Sequence, residues 1–132
     1  MRPRYTDLFR RMRDPDPVKS DAAFDAVLFD RESALPDLVE CYHESERDYA
    51  LRFLAVQLMG FSGSQEAVST LLLALNDPEP MVRAEACRSL EDLRCGTDGV
   101  RVALQARQND IHPTVCIAAS EALAALDCRS TP

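Results

Sequence analysis

Apolar residues recur at three- and four-residue spacing along most of this chain, and the clearest run is Ala67, Val68, Leu71, Leu72 and Leu75. That period puts them on one face of a helix rather than on alternate faces of a strand. Ser62-Gly63-Ser64-Gln65 stands before the run. It predicts a serine cap on free backbone N–H groups, with Gln65 reaching back. After the run comes Asn76-Asp77-Pro78-Glu79-Pro80. Proline cannot continue a helix interior, but it fits the first turn of a new helix, where N–H groups lack partners anyway. Asp77 is expected to cap that second helix and to suit its positive end. Val82, Ala86, Leu90 and Leu93 then supply a second apolar face. The predicted unit is helix, tight turn, helix.

The unit returns along the whole chain. Asp14, Glu46, Asp77 and Asp110 head the turns, Ser20, Arg52, Arg83 and Cys116 follow six residues later, and Ala23, Ala55, Ala86 and Ala119 three after that. The copies lie 32, 31 and 33 residues apart. A fixed period of this size means stacked supersecondary units, none of which buries its apolar face alone. The expected architecture is all-α, with units near 4–30, 32–62, 64–94 and 97–127 and a short tail over 128–132. Eight helices of roughly ten to sixteen residues would fill it, close to ordinary helix lengths. Gly63 and Gly96 fall at connections, where a left-handed residue ends a helix at low cost. The repeated alanine is expected where a neighbouring helix must approach closely. The arginine is expected to reach the acid of its own or a neighbouring turn, so that a ladder of such pairs joins unit to unit.

Asn76-Asp77-Pro78-Glu79-Pro80-Met81-Val82-Arg83-Ala84-Glu85-Ala86 resembles the turn and second helix of the HEAT repeat, in the short form found in bacterial proteins and phycobilisome-lyase-like arrays. The third unit carries the resemblance best, the second and fourth less, and the first least. The resemblance implies a right-handed α-solenoid whose second helices line a concave surface that grips a protein partner. Cys116 and Ser20 stand where the family has arginine, so the end units are expected to serve as caps. The lyase-like relatives raise an alternative, an accessory subunit of a lyase or chaperone-lyase. A tetratricopeptide array has a similar period, but this chain has no tryptophan.

Composition narrows the function classes. The chain has 132 residues, enough to bury a core without staples, and its net charge is −7. Arg2, Arg4, Arg10, Arg11 and Arg13 crowd the start against Asp7 alone, while the stretch from Asp14 to Leu51 is strongly acidic. An acidic body repels phosphate backbones, so a DNA-binding role starts at a disadvantage. The arginines read first as a solvated face of the first helix and second as an interaction arm. Cys41, Cys87, Cys95, Cys116 and Cys128 are odd in number and lack metal or disulfide spacing. Reduced thiols in a cytoplasmic protein are expected, with no cofactor and no metal. No apolar run is long enough to span a membrane.

Catalytic constellations are hard to find. Gly60-Phe61-Ser62-Gly63-Ser64 misses the spacing of a nucleophile elbow and has no preceding strand. Cys41 and His43, two apart on a helix, point to different sides, and His112 has no second histidine near it. The better candidate is a partner-binding face on the second helices. In the repeat register, Glu85, Arg88 and Asp92 are expected to face outward, matched by Leu54, Gln57 and Phe61, by Ala22, Asp25 and Phe29, and by Ala118, Glu121 and Ala125. Phe29 and Phe61, at helix ends, are expected to fold under the next connection as core rather than to stand out as anchors. The expected function is a noncatalytic adaptor holding a protein partner, with weak self-association allowed.

Overall fold

The structure is a computed structural model that describes residues 1–130. Its elements are α1 (Pro3–Met12), α2 (Pro17–Phe29), α3 (Leu35–Glu44), α4 (Tyr49–Phe61), α5 (Val68–Ala74), α6 (Pro80–Asp92), α7 (Asp98–Arg107) and α8 (Pro113–Ser130). A single 3₁₀ turn, Gln65–Ala67, leads into α5, which is therefore shorter than its apolar run implied. No strand occurs among the described residues. Consecutive helices pair as α1/α2, α3/α4, α5/α6 and α7/α8, and the second helices stack so that α6 lies between α4 and α8. The result is a helical solenoid of repeats. Cys128 lies on α8 and is exposed, whereas Thr131 and Pro132 of the expected tail lie outside the described residues.

The prolines explain where the second helices begin. Pro17, Pro80 and Pro113 are the first residues of α2, α6 and α8, where a missing N–H costs nothing. In α4 that place belongs to Tyr49, and Asp48 caps the helix by accepting the Leu51 N–H at 3.0 Å. Asp77 does not cap α6. The cap position is Glu79, and Asp77 accepts the Glu79 N–H at 2.9 Å, a tight turn just upstream. Asp14 and Asp110 make the same bond to Asp16 and His112, each at 2.9 Å. The carboxylate thus shapes the turn and keeps its second oxygen for another partner.

Connections between units depart from expectation in two places. Gly63 is left-handed, with φ 71°, but at the next connection the left-handed residue is Arg94, with φ 55°, and Gly96 is not left-handed. Gln65 does not reach back to its own helix; its side chain donates to the Leu93 carbonyl at 3.1 Å and ties the start of the third unit to its end.

The core runs through the stack as one cluster. Val27, Leu38, Leu58, Met59, Leu71, Leu90, Leu104 and Val115 are fully enclosed, and the repeated Ala23, Ala55, Ala86 and Ala119 are buried in every unit. Helices α4 and α6 approach each other closely at Gly60. A Cβ at Gly60 would stand 2.7 Å from Ser89 Cβ, and the Ser89 hydroxyl donates to the Val56 carbonyl at 2.9 Å. Phe24 and Leu28 hold the matching positions on α2, and α2 sits less closely on α4.

Candidate functional site

The repeated acid and the side chain six residues on build the joints between units. Arg52 Nε and Nη2 donate to the two oxygens of Asp77 at 2.9 and 3.0 Å, while its Nη1 donates to the Ser45 and Glu46 carbonyls of its own turn. Arg83 repeats this on Asp110, at 2.9 Å to each oxygen, with its Nη1 on the Asp77 and Pro78 carbonyls. Each guanidinium therefore ties its own turn by carbonyls and the following turn by a carboxylate. Bidentate pairing of this kind fixes geometry as well as charge. Cys116, where the third arginine would stand, keeps only the local half, its Sγ donating to the Asp110 carbonyl at 2.9 Å. Ser20 likewise reaches only the Pro17 carbonyl.

Glu46 is the exception among the acids. Its side chain is exposed, and it serves through its carbonyl. The carboxylate of the second unit's turn is Asp48, and it is met by Arg13 Nε at 3.0 Å, from the end of α1 rather than from a second helix. Sequence spacing missed Asp48 because the second unit lacks the proline that sets the frame elsewhere.

The Asp77 joint is the most enclosed. Asp77, Arg52 and Tyr42 are all buried, and the Tyr42 hydroxyl donates to Asp77 Oδ2 at 2.8 Å. Burial works to raise the Asp77 carboxyl, but the bonds from Arg52, the Glu79 N–H and Tyr42 outweigh it and hold the group below the usual carboxylate range. Tyr42 is pushed above its ordinary range by burial and by the carboxylate it serves. Asp110 is held low chiefly by Arg83. No buried side-chain nitrogen or oxygen among the described residues, these joints included, lacks a hydrogen-bond partner.

The basic start is also absorbed into structure. Arg2 grips Asp37 and lies 4.6 Å from the Tyr5 ring centroid, Arg4 pairs with Asp30, and Arg10 and Arg11 both pair with Asp7. With Arg13 on Asp48, each of the five arginines is in an ion pair, and all five side chains remain exposed to solvent as expected of an outer face.

On the second helices, the residues expected to face outward divide. Arg88 and Asp92 are exposed, Phe61 is 41% exposed, and Leu54 and Gln57 are half-buried. Glu85 is buried, contrary to the outward expectation, because α6 is flanked by helices on both sides. Desolvation raises its carboxyl, partly answered by Arg88 at 3.3 Å. Ala118 is buried in α8, the helix against which α6 packs, while Glu121 is exposed and Ala125 half-buried. Ala22 and Asp25 are exposed on α2. Phe29, expected as core, is 87% exposed, and Phe61 also stands out. Both end a second helix at the same register position, and neither following connection folds over them.

Cys41 and Cys87 are buried, which pushes their thiols up to about 11 and about 12. His112 Nδ1 accepts the Thr114 N–H at 3.3 Å, a local turn contact. No three His, Cys, Asp or Glu side chains among the described residues come together as a metal site, and no helix among them is long and apolar enough to cross a membrane.

The family model for HEAT repeats matches residues 35–124 of this chain. No curated protein matches it.

Proposed function

This chain belongs to the HEAT-repeat family, and we propose that it is a noncatalytic interaction module that holds a protein partner on the solvent face of its second helices. HEAT repeats generally act as protein-interaction scaffolds. The contact face proposed here comprises Leu54, Gln57 and Phe61 of α4 with Arg88 and Asp92 of α6, extended by Phe29 at the end of α2. The observation that carries it is the pair Phe29 and Phe61, large aromatics left 87% and 41% exposed at equivalent ends of consecutive helices. Rigid aromatic side chains ringed by polar groups are the usual anchors of a protein interface. Glu85, buried beneath, orients Arg88 and does not itself meet the partner.

The mixed charge of this face, with Asp25, Arg88, Asp92 and Glu121, suits a polypeptide better than a phosphate backbone. Five free cysteines agree with a reducing compartment such as the cytoplasm. The test is replacement of Phe29 and Phe61 by serine, followed by affinity capture from the native cell. Stability should change by less than about 0.5 kcal/mol per site, since both side chains are exposed. Capture of the partner should fall sharply. Undiminished capture by the double variant would remove the aromatic pair from the interface.

A further inference from the structure

We propose that the free face of the first unit is a second docking site, built to receive a helix of a partner protein that presents an arginine to Asp14. This surface adjoins the second-helix face discussed above and shares Ala22 of α2 with its outward row. It is a groove of about 760 Å³ lined by Leu8, Arg10, Arg11, Asp14, Lys19, Ala22, Ala23 and Ala26.

The repeat itself shows what fills such a groove. Ala22, Ala23 and Ala26 of α2 occupy the register of Ala118, Ala119 and Ala122 of α8. In α8 all three are buried, in the helix against which α6 packs. Ala23 is buried as well, but Ala22 is exposed and Ala26 only half-buried, because no second helix precedes α2 among the described residues. The acid beside the groove points to the same occupant. Asp14 accepts the Asp16 N–H at 2.9 Å, as Asp77 and Asp110 accept theirs. Those two each receive a bidentate arginine from the preceding second helix. Asp14 is half-buried, shaped in the same turn, and no described cation forms an ion pair with it. Of the cations near it, Arg10 and Arg11 are both engaged by Asp7 and Arg13 by Asp48, while Lys19 lines the same groove.

The chemistry of the occupant follows. It is a helix with small side chains toward Ala22 and Ala26, and an arginine whose own turn carbonyls hold it as those of Asp77 and Pro78 hold Arg83. A carboxylate answers Lys19, which stands where α8 has the buried Val115. A second copy of this chain does not meet the description, since its last second helix offers Cys116 in place of the arginine.

A peptide of this chain's own residues 77–93, held helical by a lactam staple, serves as the probe because it carries Arg83 together with the carbonyls that position it. Titrated into the full-length protein under reducing conditions, it should shift the methyl signals of Ala22 and Ala26 saturably and leave those near Gln57 and Phe61 unmoved. Asp14→Asn in the protein keeps the turn-forming oxygen but not the charge. That change, or Arg83→Ala in the peptide, should weaken binding at least about tenfold, as loss of a charge-assisted bidentate pair does. The two changes together should weaken it no further than either alone. No saturable shift, fully additive losses, or shifts confined to the Phe29–Phe61 face would each overturn the proposal. Self-association of the unliganded protein that Asp14→Asn abolishes would also overturn it, by making the occupant a second copy.

Discussion

Arg52 and Asp77, 25 residues apart, are joined through both oxygens of the carboxylate and are buried together under Tyr42. The pair welds the second unit to the third, and its cost of disruption differs from that of a surface pair. Removing one member of a buried pair leaves the other charge without its partner in a poorly solvated place. Arg52→Ala should therefore cost about 3–5 kcal/mol in a denaturant melt. The more exposed Arg13–Asp48 pair does the same job between the first and second units, and Arg13→Ala should cost less than about 1 kcal/mol. Equal costs at the two sites would show that burial does not set the strength of these joints.

Acid should open the stack at its joints. Asp37, Asp77 and Asp110 are all held below the ordinary carboxylate range in the fold. A carboxyl lowered by folding contributes stability above its unfolded value and loses it as the pH falls through the folded value. Melts followed downward from neutral pH should show stability falling once the pH drops below the ordinary carboxylate range. Asp77→Asn should flatten that slope. Glu85 has the opposite sign, because burial raises it, so Glu85→Gln should leave stability at pH 7 unchanged or higher. A large loss in Glu85→Gln would mean that its bond to Arg88 outweighs its desolvation.

Gly60 gives a test whose sign is decisive. Glycine to alanine in a helix interior ordinarily gains about 1 kcal/mol. Here the added carbon would meet Ser89 Cβ at 2.7 Å and Ser89 Cα at 2.8 Å. Gly60→Ala should instead cost about 1–3 kcal/mol by overpacking the crossing of α4 and α6. Because the backbone carbon is also in the way, Ser89→Gly should not restore the loss. A stabilising Gly60→Ala would place the two helices further apart.

Thiol labelling should follow burial and acidity. Cys128 is exposed and Cys116 half-buried, while Cys41, Cys87 and Cys95 are buried. Only a thiolate reacts, and the thiols of Cys41 and Cys87 are raised by desolvation. Mass spectrometry of the native protein should show Cys128 modified first and Cys116 second, with the other three protected until unfolding. Early modification of Cys87 would indicate local opening between α6 and α8.

The helices and their pairing were legible because proline, acid and alanine recur at a fixed period, and each has a local physical reason. Less legible was anything set by a neighbour. Asp48 took the role expected of Glu46 because the second unit has no proline to mark its frame. Arg94, a residue with a side-chain penalty at positive φ, took the left-handed place expected of Gly96. Exposure failed on both counts for the same reason. Glu85 lies in the outward register but is shielded by the helices beside α6, and Phe29, aromatic and expected inside, has no helix to cover it. Register gives the direction of a side chain from its own helix; what stands in that direction belongs to the rest of the stack.

The claim that a protein partner sits on the second-helix face is tested most directly by site-specific photo-cross-linking. A photoreactive residue placed at Gln57, half-buried at the middle of that face, should yield a covalent adduct with a single protein in the native cell. The same residue at Val102, 64% exposed on α7 and on a first helix, should yield none. Adducts at Val102 with none at Gln57 would contradict the account and move the interface to the first helices.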